Sequence, residues 1–161
     1  MMKIYVAGKV KKDSSFGTHH WREDFVDRLA ELSGKKLECI DPLQEEMCDD
    51  SSKAIFEKDC RLINGCDVLV VYLSDDISVG GSQEILIARY FNKPVIGLAP
   101  LGGKFNGATR EMYGKLVTDY KDPFVFTTCD VVCGSVEELA EELKKPLPVS
   151  SGLTIIEEAV K

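Results

Sequence analysis

The residue types best suited to chemistry fall in one stretch, Ser74-Asp-Asp-Ile-Ser-Val-Gly-Gly-Ser-Gln-Glu84. It follows a nearly continuous apolar run, Asp67 to Leu73, and opens a helical pattern, Ser82 to Phe91. Gly80 and Gly81 leave the backbone bare where that helix begins, and N–H groups at a helix start favour an anion. Ser78 and Ser82 add hydroxyls. Glu84 then falls in the first helical turn, about three residues in if Gly81 is the cap. On spacing alone such a carboxylate reads as a capping group that favours the helix dipole. The stretch has no Gly-Lys-Ser/Thr and is not a GxGxxG following a first strand, so neither a Walker loop nor Rossmann-type dinucleotide binding is supported.

Other candidates are weaker by themselves. Asp59 sits in a helical segment eight residues before Asp67, where a solvated charge is the plainest reading. Asp67 opens a strand; Asp75 and Asp76 read as exposed loop carboxylates, since paired Asp suggests Mg²⁺ only where phosphates are present. His19-His20 reads as a surface or capping feature. Six cysteines show no CxxC and no zinc spacing, so they read as free thiols, with Cys129-x-x-x-Cys133 the one pair close enough to consider for redox.

These residues need a scaffold, and the pattern supplies one. Short β-branched runs at Lys3–Ala7, Leu37–Ile40, Asp67–Leu73 and Val95–Ala99 alternate with helical spacing at His19–Leu32, Ala54–Ile63 and Ser82–Phe91. A Gly-rich stretch, Leu101–Gly107, leads to a helix-like segment ending at Val117. Phe124–Thr128 reads as the fifth strand, and Val136–Lys144 as a helix opened by Ser135 with Glu138 in a capping-box relation. This order implies an α/β fold: a five-stranded parallel sheet in a flavodoxin-like, Rossmann-like three-layer sandwich. Ligands in such folds bind beyond the carboxyl ends of the strands. Residues 1–145 read as a single domain and 146–161 as a tail with a short helix, free to dock on this domain or on a neighbouring subunit.

Composition narrows the partners. Lys plus Arg number 20 against 27 Asp plus Glu, a formal charge of −7. That argues against a nucleic-acid polymer as the main partner. No run approaches a membrane span, and MMKIYVAG reads as a strand rather than an export signal, so a cytoplasmic protein is expected.

In combination the pieces resemble a family. IYVAG in the first strand, Asp59 followed by INGCDVLVVYL, SxGxxxE at Ser78–Glu84, and ARYFNKPVIGL are similar to the nucleoside 2-deoxyribosyltransferase superfamily, which includes deoxynucleoside 5′-monophosphate N-glycosidases. The resemblance covers about residues 3 to 100. Arg110-Glu-Met-Tyr-Gly114 and Pro123-Phe124 echo some members beyond it. It implies cleavage of a C1′–N bond with Glu84 as the nucleophile that forms a glycosyl ester, Asp59 handling the proton of the leaving base, and Tyr5 orienting Glu84. Gly8 would let backbone approach the ligand. The resemblance implies no metal and no organic cofactor. Tyr5 keeps an alternative as a core aromatic.

The resemblance also bears on the substrate, a small nucleoside or nucleotide. Six residues before the nucleophile, transferases for free nucleosides carry Asp, and members that take 5′-monophosphates carry Ser. Ser78 stands there, with Gly80, Gly81 and Ser82 as a phosphate cradle and Arg22 resembling an arginine near the phosphate. Lys9, Lys11 and Lys12 would add charge. The Leu101–Gly107 and Asp41–Asp50 stretches are expected to shape the base pocket. Hydrolysis of a (2-deoxy)nucleoside 5′-monophosphate is therefore the leading expectation, base exchange the alternative, and a non-catalytic nucleotide-binding module a further one; flavin binding lacks its Ser/Thr-rich loop. The family also implies a homodimer or larger homo-oligomer in which a neighbour lends a polar residue near 123–127. Val125 stands at the matching position, with Thr127 or Thr128 as substitutes.

Overall fold

The computed structural model describes residues 1–9, 21–44, 51–74 and 76–161. Strand β1 (Met2–Lys9) is followed by helix α1 (Trp21–Ser33), strand β2 (Leu37–Ile40), helix α2 (Ser52–Gly65) and strand β3 (Val68–Leu73). Helix α3 (Val79–Tyr90) and strand β4 (Val95–Leu98) come next. Strands β5 (Asn106–Met112) and β6 (Lys115–Lys121) form a separate two-stranded sheet. Helix α4 (Pro123–Thr128), strand β7 (Val131–Cys133), helix α5 (Val136–Lys144) and helix α6 (Thr154–Glu158) complete the chain.

The main sheet has five parallel strands in the order β2-β1-β3-β4-β7. β1 and β3 are central, and their side chains alternate between two cores. Ile4, Val6, Val68 and Val70 pack under α1 and α5, against Trp21, Phe25, Leu29 and Leu139. Tyr5, Ala7, Leu69 and Val71 pack under α2, α3 and α4, against Ile63, Ile85, Ala88 and Val125. Burial on both faces explains why β3 reads as an unbroken apolar run. The chain leaves β1 for β2 on one side and returns to β3 on the other, so the crevice between the ends of β1 and β3 is the switch point where α/β sheets bind ligands.

Two expected elements are corrected. The segment ending at Val117 is strand, not helix: β5 and β6 form an antiparallel hairpin. Tyr113 (φ 53°) and Gly114 (φ 74°) form its two-residue turn, and positive φ at both central positions is the turn geometry that matches strand twist. Phe124–Thr128 is helix, not strand. Its β-rich composition yields to local signals: Asp122 caps it by accepting from the N–H groups of Phe124 and Val125, and Pro123 sits where a missing N–H costs nothing. The fifth sheet strand is instead Val131–Cys133.

The helix opened by Ser135 keeps its cap. The Ser135 hydroxyl accepts from Glu138 N, while Glu138 accepts from Gly134 N rather than from the cap residue itself. The tail docks on this chain: Arg89 donates to the Gly152 carbonyl and to the Ser151 hydroxyl.

Candidate active site

Strand alternation turns Tyr5 toward α3, and helical spacing places Gly81, Glu84, Ile85 and Ala88 on the face of α3 that meets it. The Tyr5 hydroxyl donates to Glu84 Oε1 at 2.7 Å. Tyr5 is fully buried, whereas Glu84 is only partly covered and opens onto a cleft of about 420 Å³. Asp59, carried by α2, lines the same cleft, and one of its carboxylate oxygens is buried. Gly8, Arg22, Ser78, Gly80, Gly81, Pro42, Leu43, Ile55 and Lys58 complete the lining of the cleft.

Electrostatics follow from this packing. Burial raises the Glu84 carboxyl above its ordinary range, and the Asp59 charge pushes the same way. The Tyr5 hydrogen bond and the Arg22 charge pull it back down. Tyr5 is itself driven well up, by burial and then by Glu84, so its O–H remains a donor throughout the working pH range.

Helix α3 begins earlier than its spacing suggests. Ser78, not Gly81, is the cap, and its hydroxyl accepts from Gly81 N at 3.0 Å. Glu84 is therefore the sixth helical residue, in the second turn, where a carboxylate caps nothing. Gly8 has φ +95°, and a Cβ there would stand 2.2 Å from the Tyr72 carbonyl oxygen. The neighbouring strand thus requires glycine at this position whether or not a ligand approaches it. Gly81 lies against the same residue, its notional Cβ 3.4 Å from Gly8 Cα.

The cationic residues are committed to protein partners. Arg22 Nε donates to the Val6 carbonyl at 2.9 Å, Nη2 reaches the Gly8 carbonyl at 3.4 Å, and Nη1 lies 3.7 Å from Asp41. Its guanidinium also stacks 4.7 Å over Trp21. Lys9 pairs with Asp76 at an exposed surface. Asp67 accepts from Lys3 N at the strand edge.

Several expected site residues fall elsewhere. Ser82 is turned away: its hydroxyl donates to the Val79 carbonyl, and it lines a separate, mostly apolar cleft with Phe105, Phe124 and Val125. Of the two stretches expected around the base, Pro42 and Leu43 do line the Glu84 cleft, while Phe105 of Leu101–Gly107 lines the apolar one. Val125 is buried in the core and the Thr128 hydroxyl bonds back to Phe124. Lys11, Lys12, His19, His20, Cys48, Asp75 and residues 45–50 lie outside the described residues. Cys129 and Cys133 are buried free thiols, pushed by burial up to about 12 and about 11, which leaves neither reactive at neutral pH.

No protein-family model matches the sequence, and no curated protein matches it. Solved structures do. A conserved protein from Enterococcus faecalis V583 superposes with a TM-score of 0.65 at 23% identity, over 89% of this chain and 98% of that one. A 2-desoxiribosyltransferase from Leishmania mexicana superposes with a TM-score of 0.58 at 19% identity, over 91% of this chain and 100% of that one. The chain shares the fold of these two proteins.

In the wall of the Glu84 cleft, Lys58 escaped the sequence reading. Lys58 is buried, and its ammonium donates to the Pro42 carbonyl. A lysine beside Asp59 on a helix reads as surface charge, and only its burial against the β2–α2 connection sets it apart. Asp41, which opens the stretch expected to shape the base pocket, is held by Arg22, and its side chain is 5% exposed.

Proposed function

We propose that this protein cleaves the N-glycosidic bond of a (2-deoxy)nucleoside 5′-monophosphate through a glycosyl ester on Glu84. The observation that carries the reading is the Tyr5–Glu84 hydrogen bond opening onto a cleft shared with Asp59. Tyr5 fixes Oε1 and leaves Oε2 to attack C1′. As the Oε2–C1′ bond forms, the C1′–N bond breaks and its electron pair passes to the base. The Asp59 carboxyl supplies the proton that the departing nitrogen takes up. Water then attacks C1′ as the C1′–Oε2 bond breaks and its electron pair returns to the Glu84 carboxylate; Asp59 accepts the water's proton, and the sugar phosphate leaves. Two carboxyls in unlike surroundings can divide the roles of nucleophile and acid in this way. No metal and no organic cofactor enters these steps.

Ser78 supports the monophosphate. It offers a hydroxyl at the cleft wall where a carboxylate would repel phosphate, beside Gly80 and Gly81 at the start of a twelve-residue helix. Base exchange is the second reading, favoured by the fold shared with the Leishmania mexicana transferase. In that case a second base, rather than water, takes the sugar from Glu84. We further propose a homo-oligomer; exposed Leu86, Phe124, Ile156 and Val160 leave an apolar face across α3, α4 and α6 that suits one.

The test is to incubate the protein with 2-deoxynucleosides and their 5′-monophosphates, each with and without a second free base, beside Glu84→Ala. Free base from monophosphates, lost in the variant, is the expected result. New nucleoside formed only with an acceptor base would establish exchange. Ligand binding without turnover would point to a nucleotide-binding module.

A further inference from the structure

Lys58 is the only buried lysine among the described residues, 7% exposed and set in the wall of the Glu84 cleft. Burying an ammonium is costly, and an apolar residue would fill the same space without that cost. Its position therefore calls for a return. The ammonium donates to the carbonyl of Pro42, from a helix that also presents Ile55 and Asp59 to the cleft. From a second helix, Arg22 of α1 reaches the Asp41 carboxylate at 3.7 Å. Asp41 in turn organises a tight turn: its Oδ1 accepts from Leu43 N at 2.9 Å and its carbonyl from Gln44 N at 3.1 Å. Two cations from two helices thus hold one short turn, and that turn carries Pro42 and Leu43 into the cleft. Leu43 is 79% exposed, an apolar side chain with little of its own packing to hold it in place.

We propose that Lys58 is a positioning residue: by holding the Pro42 carbonyl it fixes the Asp41–Gln44 turn as part of the wall of the Glu84 cleft, against which the non-reacting part of the substrate rests. The proposal rests on the glycosidic reading for its kinetic consequence, but not for the pinning itself. Losing the ammonium frees the turn while Tyr5, Glu84 and Asp59 stay in place. The loss should then appear in KM more than in kcat.

The test compares Lys58→Met, which keeps the length of the buried stem, with Lys58→Arg, which keeps a donor. If Lys58→Met does not fold, Lys58→Gln takes its place. Amide hydrogen exchange over residues 37–44 of the ligand-free protein reads the turn directly. Steady-state kinetics on the substrate turned over by the wild type read its use. Faster exchange at Leu43 and Gln44 in Lys58→Met, a KM raised about tenfold or more with kcat within about threefold, and recovery of both in Lys58→Arg are expected. Unchanged exchange would overturn the proposal. So would faster exchange with an unchanged KM, or a loss confined to kcat. A wild type inactive on every nucleoside and nucleotide would defeat the glycosidic reading alone, and the exchange comparison would still decide the pinning.

Discussion

Glu84 shows how a single residue can be placed by sequence and misread at the same time. Its distance from Ser78 was legible, but the helix start was not, because two glycines and two serines offer several caps. The structure puts the cap at Ser78 and so removes the capping role from Glu84. What remains is a desolvated carboxyl held by a phenol, and its titration has a definite sign. Attack requires the ionised form, and burial raises the pH at which that form appears. The acid limb of kcat/KM should therefore lie above the ordinary glutamate range of about 4.3. Tyr5→Phe removes an interaction that lowers the Glu84 carboxyl, so a pH–rate profile of that variant should show the acid limb moved further up; a downward move would contradict the assignment. The same burial acts on stability. A carboxyl whose folded-state value is raised contributes fully below its unfolded value and loses that contribution as pH rises through the folded one. Glu84→Gln should thus melt higher than the wild type at pH 7, with the gap closing near about pH 4. Thermal melts at both pH values check this, one kcal/mol corresponding to about 2–4 °C at this chain length.

At the scale of elements, legibility followed burial. β3 and the inner face of α3 are specified by dense apolar patterning, and they position the cleft. The hairpin β5–β6 is largely exposed, so its period-2 pattern is weak; the one signal was Tyr113-Gly114 between two seven-residue stretches. Helix α4 was hidden because Phe-Val-Phe-Thr-Thr favours strand, although Asp122-Pro123 marks a helix start. Lys58 was hidden for another reason: only tertiary contact turns a surface-looking charge into a cleft residue. On the proposed reading, the start of α3 also sets the substrate preference. Ser78→Asp keeps a good helix cap, so stability should change by less than about 1 kcal/mol. The new carboxylate should repel a 5′-phosphate and raise KM for monophosphates about tenfold or more, while free nucleosides are spared. Equal losses on both substrate types would remove Ser78 from phosphate recognition.

Across the whole molecule, one buried cation ties the C-terminal tail to the sheet. Arg89, 1% exposed, bonds the carbonyls of Thr128 and Gly152, the Ser151 hydroxyl and the Asp130 carboxylate, all at 2.7–2.9 Å. Asp130 passes the link to Val95 N at the start of β4. Sequence offered Arg89 only as one position of an amphipathic helix, since its four partners lie about 40 to 60 residues away. Removing one side of a buried pair leaves the other unsatisfied, so Arg89→Met should cost about 3–5 kcal/mol in urea unfolding. A loss below about 1 kcal/mol would show that the tail is not an integral part of the fold.

The central claim is that Glu84 is the nucleophile for a C1′–N bond, and base release from 2-deoxynucleoside 5′-monophosphates tests it most directly. Chromatography of wild-type and Glu84→Ala reactions should show free base from the first and a loss of about a thousandfold or more in the second, with the variant still folded. Base released at equal rates by both proteins, or by neither, would contradict it.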